Sequence, residues 1–181
     1  NAGLEQQVTE RTQQLHLALH DLQSILDAVP SMIGYWDRGL KNRVANKAYE
    51  RWFGLPPEMV KGKHIRELLG DSLFQLNLPY IEGALAGVAQ SFERMIPTPD
   101  GKGARHSLTH YIPDVVDGEV LGFYALAHDI TELAEGRQQL AAVQRDNEAL
   151  LKTISTHTIV SVTDATGRIV EVNDTFCQLF G

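Results

Sequence analysis

Cysteine is almost missing from this chain. Cys177 stands alone among 181 residues, which excludes an internal disulfide framework and a multi-cysteine metal site. A single thiol is compatible with a reducing compartment. No apolar run approaches the roughly 18 residues of a membrane span, and no secretory leader is expected. Basic residues are outnumbered, with 16 Lys and Arg against 23 Asp and Glu and a net charge of −7. No Lys/Arg stripe offsets that balance, so electrostatics argue against nucleic acid and against an anionic membrane surface as partners. Catalytic signatures are missing too. There is no Gly-rich phosphate loop, no Gly-x-Ser-x-Gly elbow and no His-Glu-x-x-His. What remains is 43% hydrophobic and 22% charged, an ordinary balance for a globular domain with extra segments. Asn1-Ala2 reads as a scar and carries no weight.

Proline is also missing from the first 29 residues. Val8, Leu15, Leu22 and Val29 recur every seven residues. Leu4, Ala18 and Ile25 fill most of the second seam, with Arg11 interrupting it. The spacing predicts a coiled-coil helix over 1–29, ended by Pro30. An amphipathic helix packed on its own domain is the plainer alternative, and both need a partner surface.

From 30 to 131 the pattern changes. Met32–Trp36 and Leu40–Ala45 predict a β-hairpin around Asp-Arg-Gly. Asn46–Phe53 predicts a helix with an aromatic face, stopped by Gly54. Pro57 opens a short turn, and Ile65–Leu69 and Leu73–Val88 predict further helices. Three strands follow at Gln90–Ile96, Arg105–Ile112 and Glu119–His128, with Asp-Gly pairs in the intervening turns. Two strands, short helices and a three-strand meander make an α+β layout with an antiparallel sheet. Asp129-Ile-Thr-Glu132 has the form of a capping box. It leads into a second heptad helix over 132–156 with Leu133, Leu140, Asn147 and Ile154 on one seam. Asn147 there would fix register and oligomeric state at some cost in stability.

The hairpin and aromatic helix recur. Asp37, Asn46 and Phe53-Gly54 reappear 127 residues later as Asp164, Asn173 and Phe180-Gly181. Residues 157–181 are too few to bury a core, so this segment is expected to open a second domain of the same type in a longer protein.

Asn46-Lys-Ala-Tyr-Glu-Arg-Trp-Phe-Gly54 after a hairpin, and Gly118-Glu-Val-Leu-Gly-Phe-Tyr-Ala-Leu-Ala-His-Asp-Ile-Thr131 with its closing Asp-Ile-Thr, resemble the start and end of a PAS domain. Thr158–Asn173 resembles a second PAS start. Leu4–Leu15 is similar to the helix that often precedes PAS domains in sensor histidine kinases. The resemblance implies a five-stranded antiparallel sheet with helices on one face and a ligand cavity between them, flanked by signalling helices. It implies a sensory module whose output domain is a histidine kinase, with a diguanylate cyclase or chemoreceptor as alternatives. The expected partners are a second copy, through the flanking helices, and that output domain. The fragment is expected to be non-catalytic and cytoplasmic, in a parent that could be membrane-anchored upstream. A ligand-free dimerisation and spacing module is the competing reading.

Candidate ligand-binding residues are Tyr35, Tyr49, Trp52, His64, Arg66, His106 and His110. Tyrosine and tryptophan carry polar tips that want partners when buried. His106 and His110 alternate onto one strand face with Leu108 and Ile112. If that face lines the cavity they can hold a carboxylate; if not, they meet a flanking helix or solvent. Arg66 and Arg105 are possible carboxylate clamps. His64 alone is a weak haem signal, and Cys177 lies outside the complete domain, which disfavours a cysteinyl-flavin sensor. No metal and no firm cofactor are expected, only an unidentified small molecule. Asp129, Thr131 and Asn147 are the expected transmission residues.

Overall fold

A computed structural model describes residues 2–180, without the side chains of Ala2, Ser155, His157 and Phe180. Expectations for Asn1 and for the closing Phe180-Gly181 pair lie outside the described residues. The chain divides into two units, residues 1–131 and 132–181.

In the first unit, α1 (Ala2–Ala28) leads to β1 (Met32–Asp37), β2 (Asn42–Ala45), α2 (Ala48–Phe53), α3 (Pro57–Val60) and α4 (Ile65–Leu85). Then come β3 (Gln90–Pro97), β4 (Ala104–Val116) and β5 (Glu119–Asp129). The strands form one antiparallel sheet in the order β2-β1-β5-β4-β3. The expected five strands are all present, and β4 extends through Pro113 opposite Phe123, four residues past the predicted end.

Local chemistry sets the helix ends. Gly54 takes a left-handed φ of 71° and its N–H donates to Glu50 O, closing α2. Pro57 opens α3 at a position that lacks an intrahelical donor anyway. His64 caps α4, accepting from the amide of Arg66 at 3.1 Å while Glu67 reaches back to the His64 amide at 3.1 Å. The two helices predicted around residue 70 are both present within α4, separated by the non-helical backbone of Gly70 at φ 73° and ψ 166°. The element stops at Leu85, before the predicted Val88.

The core lies between one face of the sheet and α2–α4. Trp36, Tyr49, Trp52, Ile81 and Phe123 are its large buried members. α1 joins this body only at its C-terminal end. Asn46 Nδ2 donates to Leu26 O and Ser31 O, both at 2.9 Å, and the Lys47 amide donates to Asp27 Oδ1 at 2.7 Å. The α1 seam residues Val8, Leu15 and Leu22 are exposed.

The second unit holds the rest of α5 (Thr131–His157), β6 (Ser161–Thr163), β7 (Ile169–Val172) and α6 (Asp174–Phe180). β6 and β7 form an antiparallel pair, as the repeat predicts. Leu133, Leu140, Val143 and Leu150 on α5 are exposed, and so is Asn147.

Candidate functional site

The sheet's inner face is hollow at its centre. Ala45, Gly34, Ala125 and Tyr111 form one cross-strand row; Met32, Ala127, Thr109 and Phe92 form the next. Gly34, Ala125 and Ala127 put almost no side chain there. Into this hollow α2 directs the Tyr49 ring. A methyl at Gly34 would overlap Tyr49 Oη and lie 3.0 Å from Cζ, so only glycine admits the phenol at this position. Beside it is a narrow niche of about 30 Å³, room for a single water-sized species. Its walls are Trp36, Phe53, Ile65, Leu68 and Leu69, and its polar edge is Tyr49, Asn77, Thr109 and Tyr111.

Burial pushes both phenols above their ordinary range. For Tyr49 the Trp36 indole acts in the opposite direction; for Tyr111 Asn77 and then Arg94 do. Tyr49 Oη makes no hydrogen bond of good geometry. Tyr111 Oη accepts from Asn77 Nδ2 at 3.3 Å, and Asn77 Oδ1 accepts from Arg94 Nε at 3.2 Å.

Of the predicted ligand residues, only Tyr49 lines the niche. Trp52 is fully buried beside it and lies under the Arg105 guanidinium at 5.7 Å. The strand parity is the reverse of what His106 and His110 need. Ser107, Thr109 and Tyr111 are buried, so the two histidines occupy the outer face. There His106 Nε2 meets Glu93 at 2.8 Å, and His110 stacks edge-on with His128 at 5.8 Å. Tyr35 also faces outward. It donates to Asp114 Oδ2 at 2.8 Å, and burial, then that bond, push its hydroxyl up to about 12. His64 is spent on capping α4. Arg66 pairs with Asp71 at 2.6 Å on the surface and lies over Phe74. The sequence reading missed Asn77, Thr109 and Tyr111; alternation along β4 offered Thr109 and Tyr111 as the other parity.

A second cluster sits where the first unit ends. Asp129 Oδ1 accepts from Thr131 Oγ1 at 2.6 Å and from the Thr131 amide at 3.1 Å. The expected bond to the Glu132 amide gives way to this tighter turn, because α5 begins at Thr131. Thr131 Oγ1 in turn accepts from the His106 amide at 2.9 Å. Asp129 Oδ2 faces Arg105 at 3.5 Å and Arg51 at 3.6 Å, and Arg105 Nη1 donates to Arg51 O at 2.7 Å. Burial would raise the Asp129 carboxyl. The Thr131 bonds, then Arg105 and Arg51, outweigh it and hold the group below the usual carboxylate range. One carboxylate thus ties α2, β4 and the first residue of α5 together. A wider open depression of about 390 Å³ lies between Asp27–Pro30 and α2; it is a surface groove separate from the niche, and it shares Arg51 with the Asp129 cluster.

Comparison with family models matches residues 26–135 to the PAS fold. The chain belongs to the PAS family. A second PAS match covers residues 147–181. The PAS domain of a Colwellia psychrerythraea protein is 19% identical with a TM-score of 0.53, covering 64% of this chain and 98% of that one. The PAS domain of Bordetella pertussis BvgS is 24% identical with a TM-score of 0.53, covering 71% and 98%. An RNA-binding light-oxygen-voltage receptor is 25% identical with a TM-score of 0.58, covering 72% of this chain and 38% of the receptor. No curated protein matches. The PAS fold therefore occurs in a protein named for binding RNA, and the case against nucleic acid here rests on charge alone. Among the described residues no helix is long and apolar enough to cross a membrane, and no group of three or more His, Cys, Asp or Glu is placed to hold a metal.

Proposed function

We propose that this PAS domain is a sensory signal-transduction module that passes the state of its core to α5 and through it to an output domain. The carrying observation is the Asp129 cluster. A shift of α2 or β4 displaces Arg51, Arg105 or the His106 amide, and each of these bears on Asp129 or Thr131 at the root of α5. Only a ligand or partner that favours one arrangement over another moves this equilibrium. The similarity of Leu4–Leu15 to kinase-associated helices supports a histidine kinase as output, with a diguanylate cyclase or chemoreceptor as alternatives. The chain itself is taken as non-catalytic and cytoplasmic. Exposed heptad positions on α1 and α5 support a homodimer through the flanking helices, with Asn147 setting register. Among the described residues no histidine or cysteine lines the niche, which supports a reading without haem or a cysteinyl-flavin adduct. The test is Asn147→Leu in the full-length protein. Light scattering should show a changed oligomeric state, or the output activity should lock. Both unchanged from the parent would overturn the coiled-coil route.

The narrow interior favours one alternative, a ligand-free dimerisation and spacing module. Thirty cubic ångströms is far below the few hundred of an ordinary ligand pocket. Native mass spectrometry on protein purified from cells separates the two. A stoichiometric non-covalent adduct sinks the spacer reading.

A further inference from the structure

The niche has a specific chemical bias. Tyr49 Oη is fully buried and without a hydrogen-bond partner of good geometry. Tyr111 Oη accepts from Asn77 and donates in no hydrogen bond among the described residues. Two phenol protons are therefore available at one small space, and leaving such donors unmatched in a dry interior is costly. Among the described residues no ionisable group other than these phenols lines the niche, so none of them would neutralise a charged ligand. Arg94, whose guanidinium reaches this polar edge, is already engaged with Asn77 Oδ1 and Leu76 O. The remaining walls are aromatic or aliphatic.

The niche also has a way to enlarge. Leu68 and Leu69 form part of its wall and immediately precede Gly70, where the left-handed φ breaks α4. The first turns of α4 are thus not continuous with the long segment after Gly70 and can move without unwinding it.

We propose that the niche is a recognition site for a small, neutral, mostly apolar molecule carrying one acceptor oxygen, of the ketone, aldehyde or ether class. The oxygen receives the protons of Tyr49 and Tyr111, the hydrocarbon part takes the space vacated by Leu68 and Leu69, and Gly70 is the hinge. The sensory reading above supplies only what such binding does downstream.

The test is an amide-resolved NMR titration of the 181-residue chain with cyclohexanone and with methylenecyclohexane, a hydrocarbon of matching shape. Cyclohexanone should give saturable shifts at Gly34, Tyr111 and Ala125. Tyr49→Phe and Tyr111→Phe should each weaken it by about tenfold, the scale of one buried hydrogen bond. The hydrocarbon should bind more weakly and respond to neither substitution. No saturable shift at these amides, or equal affinity in the parent and both phenylalanine variants, overturns the proposal. Shifts at Thr131 and Glu132 are read separately. Binding at the niche with no response there leaves the site standing and removes the transmission reading instead.

Discussion

The chain contains the same hairpin twice, once in the first unit and once in the second. In both copies an aspartate closes the turn. Asp37 Oδ1 accepts from the amides of Gly39 and Lys41, and Asp164 Oδ1 from those of Thr166 and Arg168. In both an asparagine pins the first strand. Asn46 Oδ1 accepts from Ile33 N at 2.9 Å and Asn173 Oδ1 from Val160 N at 3.0 Å. Both turns demand a left-handed residue at one position, filled by Leu40 at φ 59° and by Gly167 at φ 86°. The burial differs entirely. β1 alternates buried and half-buried residues under α2 and between two neighbouring strands, whereas β6 is exposed throughout and, among the described residues, pairs only with β7. Local hydrogen bonds specify the hairpin, and long-range burial decides how much each bond stabilises. The sequence of the second copy carries a further contrast. Ser161 and Phe176 stand where the first copy has Gly34 and Tyr49, so the close glycine–phenol approach belongs to the first copy only.

The largest break in this comparison should come at the asparagines. Asn46→Ala removes three bonds to backbone groups and loosens the end of α1 from the sheet. A loss of about 3–4 kcal/mol is expected, because buried partners are left unpaired. Asn173→Ala should leave the same transition unchanged, since Asn173 holds Val160 and Thr158 of the second unit. Denaturant unfolding followed by tryptophan fluorescence reads this directly, because both tryptophans, Trp36 and Trp52, lie in the first unit. Equal effects from the two substitutions would show that burial does not distinguish the copies.

A smaller effect should come from Gly34→Ala. The added methyl meets the Tyr49 ring head-on, and overpacking of this kind costs about 2–3 kcal/mol. Tyr49→Phe in the same chain removes the atom most in the way and should recover part of that loss. No recovery would mean that backbone strain, not the phenol, is the obstacle. Ser161→Ala, the matching site in the second copy, should leave the tryptophan-reported stability unchanged.

The sequence conveyed most of the fold because its signals are local or periodic. Asp-Gly turns, Gly54 and Pro57 mark ends, and alternation marks strands. The 127-residue repeat announced a second hairpin that forms. The site was much less legible. Tyr49 was recoverable because an aromatic residue on a short helix must face the core. The choice between His106–His110 and Thr109–Tyr111 was not, since a one-residue change of parity exchanges the two faces of a strand. That parity is set by what packs on each side, here Asn77 and Arg94 reaching from other elements. His64 and Arg66 look like ligand groups in isolation, but the break at Gly70 and the start of α4 give them local work. The capping arrangement at Asp129 shifted for a similar reason, because α5 begins one residue before the predicted start.

The smallest effect should appear at Asp129, and it should depend on pH. Its folded carboxyl lies below the ordinary value, so its contribution is fully present above the unfolded value of about 4. It is lost as the pH falls through the folded value. Asp129→Asn should therefore cost about 1 kcal/mol near neutrality, the scale of charge-assisted bonds to a partly exposed group. Parent and variant should converge as the solution is acidified through that folded value. Asp37 is also held low, by the Lys41 amide and Arg43 against its burial, so the parent will lose stability in acid for more than one reason. The informative quantity is the difference between parent and variant across the titration. A difference that stays constant to low pH would assign the role of Asp129 to shape and not to charge. Asp164→Asn supplies the contrast. That carboxylate is lowered by Thr166 and the Arg168 amide in a hairpin outside the first unit, and its removal should leave the tryptophan-reported acid transition where it was.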